Sequence, residues 1–237
     1  MKQLTLDLLP PPAPTLNNFV VGRNTELLQL LHQIAERSSS ERFVYLWGAP
    51  GAGKSHLLRA VARASAAYVA CRPETRLIAE FSEQSVSGLE LLRLDDVDTL
   101  DDGGARDLFK LYNQVRAGAG TLVVSGAAAP VQLRLPEDVK TRLGWGLVFQ
   151  VHALSEAEKV AALQRSATER GFALSDEIIN YLLTHWRRDM PSLLAALDVL
   201  DRYSLETKRP VTVPLLKQAI AAAAGSTAPD LSSLGSG

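Results

Sequence analysis

A glycine-rich segment early in the chain has the residue types and the spacing needed to bind phosphate. It reads Gly48-Ala49-Pro50-Gly51-Ala52-Gly53-Lys54-Ser55 and matches G-x-x-x-x-G-K-[ST] at every fixed position. Glycines let successive backbone N–H groups curve around phosphate oxygens, Lys54 places a cation on the β and γ phosphates, and the Ser55 hydroxyl is a candidate Mg²⁺ ligand. We therefore predict a nucleotide site made by Gly48, Pro50, Gly51, Ala52, Gly53, Lys54, Ser55 and the adjacent His56.

A second candidate element is an apolar run that ends in two carboxylates, Leu91-Leu92-Arg93-Leu94-Asp95-Asp96. In a chain with a phosphate loop, Asp95 is expected to hold Mg²⁺ directly or through water, and Asp96 to orient or activate the attacking water. The alternative is a strand that simply enters a turn. Arg93 interrupts the run, which is unusual for a central strand.

The elements around these segments predict how they are positioned. Short apolar runs predict strands at residues 43–47, 68–71, 89–95, 121–125 and 147–151, with helices between them, and Asn24 is expected to cap the first helix. Such alternation predicts an α/β domain with a parallel five-stranded sheet covered on both faces. From Ser155 onward only helical patterns remain, and Ser155 with Glu158 forms a capping box.

The sequence divides into four parts. Residues 1–16 are an arm that contains a proline linker, 17–153 the α/β nucleotide-binding domain, 154–224 a small all-α domain, and 225–237 a Ser/Gly-rich tail expected to be flexible.

Composition argues against several classes of function. Lys plus Arg number 25 and Asp plus Glu 26, a net charge of −1, which does not favour tight non-specific binding to DNA. The single cysteine, Cys71, fits a reducing compartment, and the scattered histidines have no zinc-ligand spacing. The N-terminus does not resemble a signal peptide and no stretch is apolar enough for a membrane span, so a cytoplasmic protein without membrane contact is expected.

With these elements in order, the chain resembles the AAA+ module of the DnaA family of bacterial replication initiators, from about residue 3 to residue 222. Phe19–Asn24 is similar to the family's adenine-side segment, which implies a nucleotide contact at Val21. Arg142-Leu143-Gly144-Trp145-Gly146-Leu147 is similar to the family's R-[FL]-x-W-G-L string. The resemblance implies an AAA+ domain followed by a helical lid, with ADP or ATP and Mg²⁺ as cofactors.

The same resemblance implies roles for two arginines. Arg142 would be an arginine finger that reaches the γ-phosphate of a nucleotide on the neighbouring subunit, and Arg188 would contact phosphates in its own chain. For either residue the alternative is a surface salt bridge of little energetic value.

Two departures from the family bear on function. Ala127 stands where the family's first sensor is usually Asp, with Ser125 as the nearest polar substitute, so weak intrinsic ATP hydrolysis is expected. The initiators continue into a helix-turn-helix domain, whereas this chain ends soon after Ala224, so we expect it not to read origin DNA directly.

The N-terminal arm resembles the peptide that docks on the replicative sliding clamp, Q-L-x-L-x-[LF], through Gln3, Leu4, Leu6 and Leu8. Alternating apolar side chains would enter a groove on the clamp, and the prolines would hold the peptide away from the body. The alternative is that this segment packs on its own domain.

These inferences lead to one hypothesis and two alternatives. The hypothesis is a negative regulator of replication initiation that binds the DNA-loaded clamp and stimulates hydrolysis of ATP held by the DnaA initiator, with DNA contacted mainly through the clamp. The alternatives are a DNA-dependent ATPase similar to helicase loaders, and an adaptor in which nucleotide only stabilises the fold. The resting nucleotide and self-association into a homo-oligomer are left open by the sequence.

Overall fold

The structure is a computed structural model and describes residues 13–81, 88–186, 189–208 and 210–218. Pro14–Leu154 forms one compact unit, and the described residues from Ser155 onward belong to a second. No helix in these described ranges is both long enough and apolar enough to cross a membrane.

The first unit alternates helices with strands. Its elements are α1 Thr25–Ala35, β1 Phe43–Trp47, α2 Lys54–Ala60, β2 Ala66–Ala70, α3 Leu77–Glu80, β3 Leu91–Asp95, α4 Asp102–Ala117, β4 Thr121–Gly126, α5 Glu137–Leu143 and β5 Leu147–Gln150. Helix α4 begins at Asp102 because Asp101 caps it by accepting a hydrogen bond from the Gly104 N–H.

All five strands pair in parallel in the order β2-β3-β4-β1-β5, which confirms the predicted sheet. Parallel pairing brings the carboxyl ends of the strands to one edge of the sheet. Because β4 lies between β3 and β1, the end of β4 separates the loop that follows β1 from the carboxylates that follow β3.

Both faces of the sheet are covered, as predicted. One core is built on α1 and α2, with Leu31, Leu57 and Val123 among its buried members. The other is built largely on α4, whose Leu108 and Leu111 pack among buried residues of the sheet such as Leu122. A strand buried on both faces is apolar along its whole length, and this explains the continuous apolar runs in the sequence.

Arg93 is tolerated in β3 because its guanidinium binds backbone carbonyls. It donates to the carbonyl oxygens of Val61 at 2.7 Å and Leu58 at 3.2 Å, where α2 ends, and to that of Ala67 in β2 at 3.2 Å. Carbonyls at a helix C-terminus lack partners within the helix and carry partial negative charge. The arginine that looked out of place in the sequence therefore caps the helix that follows the phosphate loop.

The second unit contains α6 Glu156–Glu169, α7 Asp176–His185 and α8 Met190–Thr207, followed by helical residues 213–218. Ser155 and Glu158 form the predicted capping box at the start of α6. Ser175 and Asp189 cap α7 and α8 by accepting hydrogen bonds from backbone N–H groups. The buried apolar side chains include Leu163, Ile178, Leu182, Leu193, Leu197 and Leu200.

Replacing Arg93 by Met should lower the free energy of unfolding by about 2–3 kcal/mol, because hydrogen bonds from a charged donor are lost and carbonyls are left unpaired. Urea denaturation followed by circular dichroism measures the change. Arg134→Met, at an exposed position, is the matched control and should change stability by less than about 0.5 kcal/mol. Equal stability of the two variants would contradict the capping role.

Candidate nucleotide site

The phosphate loop leaves β1 at Gly48 in a conformation that only glycine accommodates well. Gly48 has φ +157°, and a Cβ there would lie 2.4 Å from the carbonyl oxygen of Val151. Gly53 has φ +102°, and a Cβ there would lie 2.8 Å from the Phe19 ring. The loop is therefore packed closely between the residue that follows β5 and the segment that precedes α1. Gly48 and Gly53 are required both by their backbone conformations and by the lack of space for a side chain.

Lys54 is the first residue of α2, and its side chain turns back into the loop. The residue is only 8% exposed, and its Nζ donates to the carbonyl oxygens of Gly48 at 2.8 Å and Ala49 at 3.3 Å. A buried ammonium whose partners are neutral carbonyls is poorly compensated, and an anionic ligand would improve its environment. This arrangement fits a phosphate group.

The remaining loop residues surround the same turn. Ser55 is the second residue of α2 and is half-buried, Pro50 is exposed, and Ala52 is buried with its N–H donating to the Ala49 carbonyl at 3.1 Å. The helix N-terminus, the loop N–H groups and the Ser55 hydroxyl are suited to bind phosphate and Mg²⁺ together.

The segment before α1 lies against this loop. The Phe19 ring packs 5.5 Å from the His56 ring, between centroids, and His56 Nε2 lies 3.0 Å from the carbonyl oxygen of Thr15. The Val21 carbonyl accepts a hydrogen bond from the Asn24 side chain at 3.1 Å. The segment that contains Val21 thus contacts His56 through Phe19 and Thr15.

The expected role of Asn24 as a side-chain cap of α1 was wrong. Asn24 occupies the cap position, but its side chain makes no capping hydrogen bond. It donates instead to the His152 carbonyl at 2.9 Å and accepts from the His152 N–H at 2.7 Å. A buried amide that pairs with both backbone groups of a distant residue joins the adenine-side segment to the chain after β5.

Asp95, at the end of β3, is 2% exposed, and both of its carboxylate oxygens are hydrogen-bonded. Ser125 in β4 donates its hydroxyl to Oδ1, and the Tyr68 hydroxyl in β2 donates to Oδ2 at 2.8 Å. Burial, reinforced by the hydrogen bond to Asp95, raises the pKa of Tyr68 to about 12, so the phenol is a donor at neutral pH.

Asp96 differs from its neighbour because it is exposed and has a left-handed backbone, φ 54° and ψ 47°. Its N–H donates to the Ser125 hydroxyl at 3.0 Å. Desolvation and the adjacent charge of Asp95 raise the pKa of the Asp96 carboxyl, whereas Lys54 opposes the shift. Ser125 therefore contacts both members of the acidic pair.

Ser125 and Ala127 show how the end of β4 is used. Ser125 is fully buried, with its hydroxyl between Asp95 and Asp96. Ala127 is exposed, and its N–H donates to the Asp98 carboxylate at 2.9 Å. A methyl side chain at position 127 cannot bind a phosphate or a water molecule, which is consistent with the expected weak hydrolysis.

Arg142 lies near the end of α5 and packs against α4 and Trp145. Its guanidinium carbon is 3.5 Å from the Phe109 ring centroid and 4.9 Å from that of Trp145. It also donates to Asn113 Oδ1 at 3.3 Å and to the Asp138 carbonyl at 3.0 Å. Its contacts in the described part of the chain are thus to surface residues of its own unit, and not to the phosphate loop.

Trp145 is 43% exposed. Two guanidinium groups lie near its ring, because the guanidinium carbon of Arg116 is 4.6 Å from the ring centroid and Arg142 contacts the same ring. Leu147 and Val148 of the edge strand β5 are also exposed. The R-L-x-W-G-L string therefore forms a cationic and aromatic surface.

Several predicted residues lie outside the described ranges, namely Gln3, Leu4, Leu6, Leu8, Arg188 and the tail 225–237. Within those ranges no group of three or more His, Cys, Asp or Glu side chains is arranged to hold a metal ion. A Mg²⁺ ion at Ser55 and Asp95 would depend on the nucleotide phosphates and water for its other ligands. Sequence reasoning missed Tyr68, for which no local signal exists, because its partner is 27 residues away.

Comparisons with known proteins agree with this geometry. The AAA ATPase domain model matches residues 20–107, and the model for the lid domain of Hda matches residues 156–220. An uncharacterised protein of Haemophilus influenzae is 35% identical over 230 residues, which cover 92% of this chain and 97% of that protein.

Solved structures support the fold. The replication initiator DnaA bound to AMPPCP and single-stranded DNA matches with a TM-score of 0.65 and 22% identity, over 83% of this chain and 68% of that one. Domain III of DnaA from Thermotoga maritima matches with a TM-score of 0.63 and 18% identity, over 90% of this chain and 98% of that one.

The sheet order, the loop between β1 and α2 and the helical second unit define a nucleotide-binding P-loop protein of the AAA+ class. Within that class, the match of residues 156–220 to the Hda lid-domain model identifies the family, whereas the DnaA structures support the fold alone. The chain belongs to the DnaA-related AAA+ proteins and is Hda-like.

Asp96→Asn should stabilise the nucleotide-free protein at pH 8 and progressively less as the pH falls. A raised pKa means that the folded state binds the proton more tightly than the unfolded state, so the ionised carboxylate lowers stability above that pKa. The penalty declines as the pH falls through the raised pKa and disappears only below the ordinary value of 3.8, where Asp becomes protonated in both states. Thermal melts in EDTA from pH 8 to pH 4.5 measure the difference in Tm.

Asn also favours the left-handed backbone at position 96, but this contribution does not depend on pH. The pH-dependent part therefore isolates the charge. Glu74→Gln removes one negative charge at an exposed position and is the control. A stabilisation by Asp96→Asn that is constant across the pH range would contradict the electrostatic explanation.

Proposed function

We propose that this protein is a negative regulator of replication initiation that stimulates hydrolysis of the ATP bound to the DnaA initiator. The observation that carries the proposal is the position of Arg142, on a cationic and aromatic surface beside the exposed Trp145. Among the residues that the structure describes, its partners are aromatic rings, an amide and a carbonyl. A guanidinium held in this way, in the string that resembles the initiators' finger motif, is suited to act on a nucleotide bound by another subunit.

The nucleotide-binding site serves the protein itself. ADP or ATP would bind with its phosphates on the loop Gly48–Ser55, near Lys54 and the N-terminus of α2, and with its base near Val21 and His56. Mg²⁺ would neutralise charge at the phosphates, and Ser55 and Asp95 would hold it. With Ala127 at the first-sensor position, Asp96 has no partner side chain there, and the bound nucleotide acts mainly as a structural ligand. Arg188, at the start of the lid, would bind the phosphates.

Trans action by Arg142 requires that the protein be brought to the initiator. The N-terminal arm provides this through Gln3, Leu4, Leu6 and Leu8, which would dock on the sliding clamp loaded on DNA. Stimulation would then be confined to replicated DNA, and the initiator would pass to its ADP form after initiation.

The first experiment measures conversion of DnaA-bound ATP to ADP by this protein, with and without DNA-loaded clamp. Acceleration only with loaded clamp is the expected result. Unchanged conversion would reject the regulatory function. Robust hydrolysis by the protein alone, stimulated by single-stranded DNA, would instead identify a helicase-loader-like ATPase, and clamp binding without stimulation would identify an adaptor.

Arg142→Ala should abolish the stimulation, a loss of at least about a hundredfold given what arginine fingers contribute to phosphoryl transfer. Nucleotide binding by the variant, measured with a fluorescent ADP analogue, should be unchanged. Arg116→Ala is the matched control because it removes the guanidinium on the same Trp145 ring. Stimulation retained by Arg142→Ala, or lost equally in both variants, would remove the finger assignment.

Gln3→Ala combined with Leu6→Ala should lower affinity for the clamp at least about tenfold, because an amide contact and an apolar anchor are lost together. Surface plasmon resonance with immobilised clamp measures the affinity. Thr5→Ala combined with Asp7→Ala alters the alternate positions of the same peptide and should bind normally. Equal affinity of the two double variants would show that the arm does not dock in the proposed way.

A further inference from the structure

Tyr68 makes a contact with the acidic strand end that neither the phosphate-loop motif nor the proposed finger explains. Its hydroxyl donates to Oδ2 of Asp95 at 2.8 Å, while Ser125 donates to Oδ1. The Asp95 carboxylate is almost completely buried, so these two hydroxyls fix the plane of the group. One donor comes from β2 and the other from β4, the two strands that flank β3.

The Tyr68 ring is itself held by two cations. The guanidinium carbon of Arg59 lies 5.1 Å from its centroid and that of Arg93 lies 5.8 Å away. Arg93 is fixed in turn by the carbonyls at the end of α2, and Arg59 belongs to α2 itself. The phenol therefore connects the helix behind the phosphate loop to the carboxylate of Asp95.

The hydrogen bonds from Tyr68 and Ser125 leave the Asp95 carboxylate with acceptor sites for a further ligand. Each oxygen of an ionised carboxylate has about two acceptor sites, and each Asp95 oxygen uses one for a hydroxyl. Mg²⁺ requires nearly ideal octahedral geometry and usually keeps several waters, so it is sensitive to the orientation of the acceptors around it. Groups that orient the ligands of a metal contribute substantially to its affinity.

We infer that Tyr68 is a positioning residue for the magnesium–nucleotide complex, in which its hydroxyl fixes the Asp95 carboxylate in the orientation that Mg²⁺ or its bound water accepts. The inference rests on the proposed function in one respect, namely that Asp95 serves Mg²⁺. It predicts a defect in the magnesium dependence of nucleotide binding, with nucleotide affinity itself preserved.

The test titrates Mg²⁺ into the full chain with a fluorescent ADP analogue, starting from EDTA. Tyr68→Phe should raise the Mg²⁺ concentration at half-effect about tenfold, as expected when a group that orients a metal ligand is lost. Affinity for the analogue in EDTA should remain within about twofold of the original protein. Ser125→Ala removes the donor to the other oxygen and should shift the Mg²⁺ midpoint in the same direction, which keeps the inference testable if Tyr68→Phe does not fold.

Tyr45→Phe is the matched control. Tyr45 is a buried phenol in the same sheet, but its hydroxyl donates to the Ala128 carbonyl at 2.8 Å and not to Asp95. It should leave the Mg²⁺ midpoint unchanged whatever its effect on stability.

The possible outcomes separate this inference from the proposed function. An unchanged midpoint in Tyr68→Phe, or an equal loss of affinity with and without Mg²⁺, would overturn the positioning role while leaving the nucleotide site intact. Binding of the analogue that does not respond to Mg²⁺ in the original protein would also overturn it. No binding of the analogue at all would reject the proposed nucleotide site together with the inference.

Discussion

Parallel pairing of β1 with β4 on one side and β5 on the other is the constraint on which the site depends. Trp47 pairs with Gly126 in β4 and with Gln150 in β5. The loop after β1 therefore starts at the same height in the sheet as the ends of both neighbouring strands. A slip of one residue would turn the buried side chains to the opposite face. Gly126 also restricts the register of β4 against β1. A Cβ at position 126 would lie 2.2 Å from the Tyr45 hydroxyl, and that hydroxyl donates a hydrogen bond to the Ala128 carbonyl.

Arginines provide a second organising principle, because several of them donate hydrogen bonds to the unpaired carbonyl groups at helix ends. Arg93 binds carbonyls at the end of α2, Arg63 binds the Ile34 carbonyl at the end of α1, and Arg42 binds the Val115 and Gly118 carbonyls at the end of α4. A guanidinium suits this task because its donors are fixed in a fork and it is weakly hydrated. The N–H groups used in this way are not available for direct hydrogen bonds to phosphate, although each guanidinium keeps its positive charge.

The parts of the structure that could be predicted from the sequence are those with a local signal. The phosphate loop follows from the fixed spacing of its glycines and lysine, the sheet from its apolar runs, and the lid helices from caps such as Ser155. The parts that could not be predicted depend on side chains that reach distant residues. Asn24 matches a helix-cap pattern, but its side chain binds the backbone of His152, which is 128 residues away. Tyr68 lies in a strand without any distinguishing sequence signal, and its contact with Asp95 arises only from the pairing of the strands.

In the proposed role, the surroundings of Arg142 would keep its guanidinium charged and able to bind a phosphate. A carboxylate partner would compete directly with phosphate, whereas the faces of Phe109 and Trp145 hold the guanidinium through its π system and leave the edge with its N–H groups free. Within the described part of the chain, Asn113 and the Asp138 carbonyl engage two of the five N–H donors that a guanidinium carries. Cation–π contacts at exposed sites are worth about 0.5–1 kcal/mol each, so moving the side chain onto a phosphate costs little compared with a bidentate, charge-assisted contact. In the proposed role, the aromatic rings reduce the rotamer freedom of Arg142 before it meets the other subunit. They do not hold the side chain strongly enough to prevent it from moving onto the phosphate.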